Sequence, residues 1–156
     1  MPSRFEQVSD REVVFHRVLD APRELVWEVF THPRHLHEWW GPHGYRTTTQ
    51  GFVFEPDGEW TFVMHGPDGS DMANRVVFRE IDPPSRLAFD NWWYLPDAPL
   101  DFRGVITLEP EGRRTHLAWR FRFRDAAALR VAVERYGVEE GARQTVDRMA
   151  NHLRSL

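Results

Sequence analysis

The chain has 156 residues, enough for one domain with a genuine core and too few for two. Its formal net charge of -4 argues against a nucleic-acid backbone as partner, since neutralising phosphates needs excess cation. The absence of cysteine removes disulfides, thiolate nucleophiles and Cys-ligated zinc. Every basic residue is Arg, a chain-wide pattern that compositional bias explains more simply than selection for bidentate contacts. No stretch approaches the length of a membrane span and the opening "MPSRFEQVSDREVVF" has no apolar h-region, so no membrane partner and a cytoplasmic location are expected.

In chain order, "REVVFHRVL" reads as a strand leading to Asp20 as N-cap, with Pro22 in the first turn of a helix. Leu25, Val26, Val29 and Phe30 share one face of that helix. Thr31 and Pro33 restart a short second helix that Gly41-Pro42 stops. From Tyr45 to Arg124 the pattern is strands separated by "PDG", "GPDG", "DPPS" and "PEGR", an antiparallel meander. In its clearest strand Thr115, Leu117, Trp119, Phe121 and Phe123 alternate with His116, Ala118, Arg120 and Arg122, so one face is buried and the other wet. The preceding strand sets Leu100, Phe102, Gly104, Ile106 and Leu108 on the same kind of face. Asp125 then caps a helix halted at Gly137. A longer helix follows from Val138, with Ala142, Val146, Met149, Leu153 and Leu156 in an apolar stripe.

This order predicts a single α+β domain over residues 1–156, its helices gathered on one face of an antiparallel sheet of about six or seven strands. A twisted sheet curled around a straight helix does not touch it everywhere, which predicts an internal cavity of a few hundred Å³. Seven Trp and eleven Phe are available to line or to fill it.

The segments "APRELVWEVFTHPRHLHEWWGP", "GEWTFVMHGPDG", "FREIDPPSRLAF" and "GARQTVDRMANHL" resemble the activator of heat-shock-protein-90 ATPase-like branch of the SRPBCC superfamily, related to START lipid-transfer domains and polyketide cyclases. The resemblance runs from Val14 to Leu153. It implies a helix-grip fold, in which a long C-terminal helix lies across a curved antiparallel sheet with a cavity between them. Relatives bind lipids, hormones or polyketides, some catalyse cyclisation or hydration, and others modulate a chaperone, so the fold leaves the function open. Where relatives often carry Gly-Gly this chain has Asp57-Gly58, and Asp tolerates the left-handed backbone such a turn requires.

The most reactive-looking stretch is "LHEWWGPHG". His32, His35, His37 and His43 cluster in sequence, but their spacing matches no metal motif, and the stretch reads as a packing joint with Trp39 and Trp40 against the sheet mouth and one indole N–H on an acceptor. His65, at a strand end beside a tight turn, is the weak candidate for a catalytic acid or base. In "FDNWWYLPDAPL", Phe89, Asn91 and Trp93 share the inner face, which makes Asn91 a buried polar group needing a backbone, water or ligand partner. Exposed Trp92 and Tyr94 beside the Pro-containing loop suggest a lid or a homodimer contact. Arg103, Arg120 and Arg122 read as a solvated set paired with Asp101 or Glu109.

The ligand wall expected from these faces comprises Trp40, Phe62, Met64 and Phe78 on the first half of the sheet, with Phe89, Asn91 and Trp93 beside them. Trp119 and Phe121 complete the sheet side, and Val146, Met149 and Ala150 supply the helix side. No GxSxG, P-loop or GxGxxG occurs, so no cofactor is expected. The leading expectation is a binder of a small hydrophobic or aromatic molecule. A chaperone ATPase-modulating module and a cyclase or dehydratase using the same cavity are the alternatives.

Overall fold

The computed structural model describes residues 3–94 and 99–156. Its strands are β1 (Arg4–Gln7), β2 (Glu12–Leu19), β3 (Arg46–Phe52), β4 (Glu59–His65), β5 (Asp71–Asp82), β6 (Arg86–Tyr94), β7 (Pro99–Glu111) and β8 (Arg114–Phe123). Helices α1 (Arg23–Thr31) and α2 (Pro33–Trp39) follow β2, and α3 (Ala126–Glu134) and α4 (Val138–Arg154) follow β8. The strands form one antiparallel sheet in the order β1-β2-β8-β7-β6-β5-β4-β3. β3 to β8 are therefore the predicted meander, and the return of β2 to the side of β8 joins the two ends of the chain. The sheet has eight strands rather than six or seven. The extra one is short β1, which has no buried alternation and is held by its backbone ladder to β2.

The cross-strand register aligns the inward residues in rows. Phe15, Trp119, Ile106 and Leu87 form one row, while Val13, Phe121, Gly104, Phe89 and Phe78 form the next. A third row runs Phe123, Phe102, Asn91, Val76, Trp60. Gly104 is where a side chain is missing so that another fits: a Cβ there would lie 2.4 Å from the Phe89 ring. Asp57 has φ 67, so the turn is left-handed at an Asp as expected.

Helix boundaries follow local chemistry with two corrections. Asp125 caps α3, its carboxylate accepting from Ala128 N–H at 2.8 Å. At α1 the N-cap is Pro22, with no side-chain cap, because the chain is still extended at that point and the helix begins at Arg23. On α4 the buried stripe runs from Val138 and Ala142 through Val146 and Met149 to Leu153. Leu156 is not part of it: the helix ends at Arg154, and Leu156 is 57% exposed. Among the described residues no helix is long and apolar enough to cross a membrane.

Candidate functional site

The inner face of the sheet meets α1, α2 and α4 through rings. Trp40 sits at their centre, its ring centroid 5.0 Å from Trp60, 5.6 Å from Trp119, 5.4 Å from Trp39 and 6.0 Å from Phe62. Phe30 of α1 adds edge contacts to Trp39 and Trp119. Val146 and Met149 close this cluster from α4, each fully buried. The space where a cavity is expected is thus packed with side chains, because the adjacent Trp39 and Trp40 at the end of α2 point into it.

That placement is local in origin. Pro33 opens α2 where its missing N–H costs nothing, and Trp40 N–H closes it by donating to Leu36 O at 2.9 Å. Gly41 then takes φ 103, and a Cβ on it would come within 2.8 Å of Met64. Trp39 Nε1 donates to Val29 O at 3.0 Å, so one indole N–H of the pair finds an acceptor as expected. Arg148 of α4 reaches the same joint, its guanidinium donating to the carbonyls of Glu38, Gly41 and Pro42 at 3.2, 2.9 and 3.1 Å. Burial pushes the Arg148 pKa downward.

The other residues named for the expected wall take the inner face that their alternation implies. Phe62, Met64, Phe78, Phe89 and Phe121 are buried, and Trp93 is half-buried against Phe102. Ala150 borders a hollow of about 220 Å³ at the far end of α4, shared with Arg17, Leu19, Leu153 and Arg154. A larger hollow of about 430 Å³ lies beside β6, β7 and β8, where Arg103, Arg122, Arg124, Trp92 and Asp101 line it.

Asn91 is 1% exposed, and its Nδ2 donates to Arg75 O at 3.1 Å. Its Oδ1 and the Trp119 Nε1 are buried without a hydrogen-bond partner among the described residues. Asn74 is buried beside Asn91 and belongs to the same polar pair, a residue not among the expected site positions. Its alternation with Met72 and Val76 on β5 was the available signal.

His65 is on the opposite face of the sheet from this cluster. Its Nδ1 is 2.7 Å from Asp71 Oδ1, and its Nε2 contacts Thr48 Oγ1, so both ring nitrogens are engaged at the β3–β4–β5 margin. Of the four histidines of this stretch, His32 and His35 stay together, their ring centroids 6.3 Å apart, and His35 also pairs with His152 of α4 at 2.8 Å; His37 contacts Thr49 Oγ1 at 2.8 Å, and the His43 backbone N–H donates to Gln144. Among the described residues no three His, Asp or Glu side chains converge to hold a metal ion. His152 and Arg148 carry no sequence signal for these roles, since both meet the joint across more than a hundred residues.

The outer-face arginines pair differently from the expectation. Arg103 bonds Asp90 at 3.1 Å, and Arg120 and Arg122 both reach Glu12 of β2, at 2.6 and 3.5 Å. Strand order explains this: β2 lies beside β8, and Glu12 stands opposite Arg122 in the register. Asp101 goes to Arg124 at 3.5 Å. Trp92 is half-buried under the Arg75 guanidinium, 4.8 Å from the ring centroid, while Tyr94 is exposed. The Pro-containing loop at 95–98 lies outside the described residues.

A curved antiparallel sheet gripping one long terminal helix, with an aromatic inner face, defines a helix-grip protein. The chain belongs to the activator of Hsp90 ATPase homolog 1-like family, whose model matches residues 20–154. A protein from Arthrobacter aurescens, solved by solution NMR, is similar with a TM-score of 0.90 and 25% identity over 100% of this chain and 92% of that one. A protein from Mycobacterium smegmatis gives 0.86 and 24% over 99% and 98%. One from Nitrosomonas europaea gives 0.84 and 22% over 96% and 97%, and these two show the shared fold alone. No curated protein matches the chain.

Proposed function

We propose that the protein binds a small, largely apolar molecule between the inner face of the sheet and α4, admitting it by re-packing rings instead of filling a standing hollow. The observation that carries this reading is the setting of Trp40. Its side chain is surrounded by rings from α2, β4 and β8, and its indole makes no hydrogen bond among the described residues. Moving such a ring exchanges dispersion contacts for equivalent ones with an aromatic guest and breaks no polar link. Met64 and Met149, at two sides of the cluster, are flexible enough to follow.

Native mass spectrometry of protein purified from its own host tests this. A retained small molecule, lost on denaturation, is the expected result. A ligand-free mass, together with tryptophan fluorescence that no member of a panel of neutral aromatic compounds perturbs, would overturn it.

The family description supports a second reading, a module that modulates a chaperone ATPase. Its natural surface is the polar outer face, where Arg79 bridges Asp57 and Asp90 and Arg103 continues the row. An Hsp90 ATPase assay with and without the protein decides it: an unchanged rate rules this reading out.

A further inference from the structure

Asn91 Oδ1 and Trp119 Nε1 are each buried without a partner among the described residues, in a wall of rings and aliphatic side chains with Asn74 buried beside Asn91. The orientation of the Asn91 amide is set by its surroundings. Nδ2 faces Arg75 O at 3.1 Å, Trp92 O at 3.4 Å and Asn74 Oδ1 at 3.5 Å. Turning the amide over would set an oxygen against three oxygens, so Oδ1 is left as an acceptor lacking a donor. The indole Nε1–H is a donor only, and rings of Phe30, Trp40 and Phe121 surround the Trp119 ring.

The register separates the two. Trp119 stands opposite Ile106, which stands opposite Leu87, whereas Asn91 lies four residues beyond Leu87 on β6. That is about 13 Å along the strand direction at roughly 3.3 Å per residue. The row between them holds Phe121, Gly104 and Phe89, with no polar side chain.

We propose that the molecule bound here is an elongated, neutral, ring-bearing compound with a hydrogen-bond acceptor at the Trp119 end and a hydroxyl or amine donor at the Asn91 end. The inference rests on the ligand-binding reading above and adds its polar specificity. An apolar guest leaves both buried atoms unpaired, while a guest with these two groups satisfies both. A charged group is disfavoured, because an amide oxygen and an indole N–H offer no counter-charge for its desolvation.

The test uses four two-ring rods titrated against the full chain by calorimetry: biphenyl, 4-hydroxybiphenyl, 4-acetylbiphenyl and 4-acetyl-4′-hydroxybiphenyl. Each polar group is expected to tighten binding about fivefold to tenfold over biphenyl. Asn91→Leu should lose the hydroxyl gain alone and Trp119→Phe the acetyl gain alone, each gain being read as the ratio to biphenyl measured on that same variant. Four equal affinities, or gains that persist in the variants, overturn the polar assignment and leave ligand binding standing. Binding of none of the four overturns the ligand reading, and this inference with it.

Discussion

The Nδ1 atom of His35 on α2 lies 2.8 Å from the Nε2 atom of His152 on α4, with ring centroids 5.1 Å apart. The nitrogens face each other in a single hydrogen bond that ties the helix carrying Trp39 to the helix closing the sheet. On its other side, His35 Nε2 is buried 3.9 Å from Glu28 Oε1. A proton on Nε2 and a bare Nδ1 accepting from His152 is the tautomer that suits both neighbours.

This contact makes stability depend on pH. Burial, followed by Arg34 and His152, holds the His35 pKa below its ordinary 6.5, and Glu28 opposes them more weakly. His16, 3.1 Å from His116 across β2 and β8, is lowered in the same way by burial and then by Arg4 and His116. Both therefore bind fewer protons folded than unfolded below the ordinary value. Their contribution to stability is complete above about pH 6.5 and is lost as the pH falls through the lower folded values. Urea midpoints should hold from pH 8 to 7 and fall toward pH 5, and a His16→Thr, His35→Gln double variant should flatten that slope. A wild-type midpoint constant from pH 7 to 5 contradicts the account.

Gly104 and Phe89 form a matched pair of missing and oversized side chains. Gly104→Ala should cost about 1–3 kcal/mol by overpacking, since its Cβ meets the ring face of a buried neighbour. Adding Phe89→Leu should recover part of that loss, a non-additivity measurable by chemical denaturation. Equal stability of Gly104→Ala and wild type would show that the ring moves aside freely.

Arg148 ties the Glu38 carbonyl in the last turn of α2 to the carbonyls of Gly41 and Pro42 in the segment that leaves it. Arg148→Met keeps most of the aliphatic stem and removes the donors, and should lower stability by about 1–3 kcal/mol. Arg148→Lys should recover only part, because one ammonium cannot span Glu38 O and Pro42 O together. Hydrogen exchange should quicken selectively across 36–42 in the Met variant; a uniform change along the chain would instead indicate a general loss of packing.

Trp40→Ala tests how the interior is filled. Removing a ring from the middle of the cluster should cost about 3–5 kcal/mol and leave a dry hole. Indole or toluene at millimolar concentration should then raise the melting temperature of the variant by more than that of wild type. Failure of either compound to stabilise the variant would mean that the neighbouring rings collapse into the gap.

Much of this architecture could be read from residue order. β8 needed only its alternation, because each inward position from Thr115 to Phe123 is buried and each outward one carries Arg, His or Ala. The Asp125 cap and the Asp57 turn followed from local geometry that a few residues fix on their own. Alternation also placed Phe62, Phe89, Asn91 and Trp119 on the inner face. The strand β1 was missed because four mostly exposed residues have no burial pattern to read. The partners of Arg120 and Arg122 were misjudged because the pairing of β2 with β8 joins segments about a hundred residues apart.

What residue order decided was which face each side chain takes, since the periods of strand and helix are local backbone properties. It left undecided whether the inner space stands open. That depends on the summed volume of side chains delivered by α2, β4, β8 and α4, and on the angle at which Gly41 releases Trp40 into the middle of them. The same holds for His35 and His152: nothing along the chain pairs them, and only the docking of one helix on another brings their nitrogens within bonding distance.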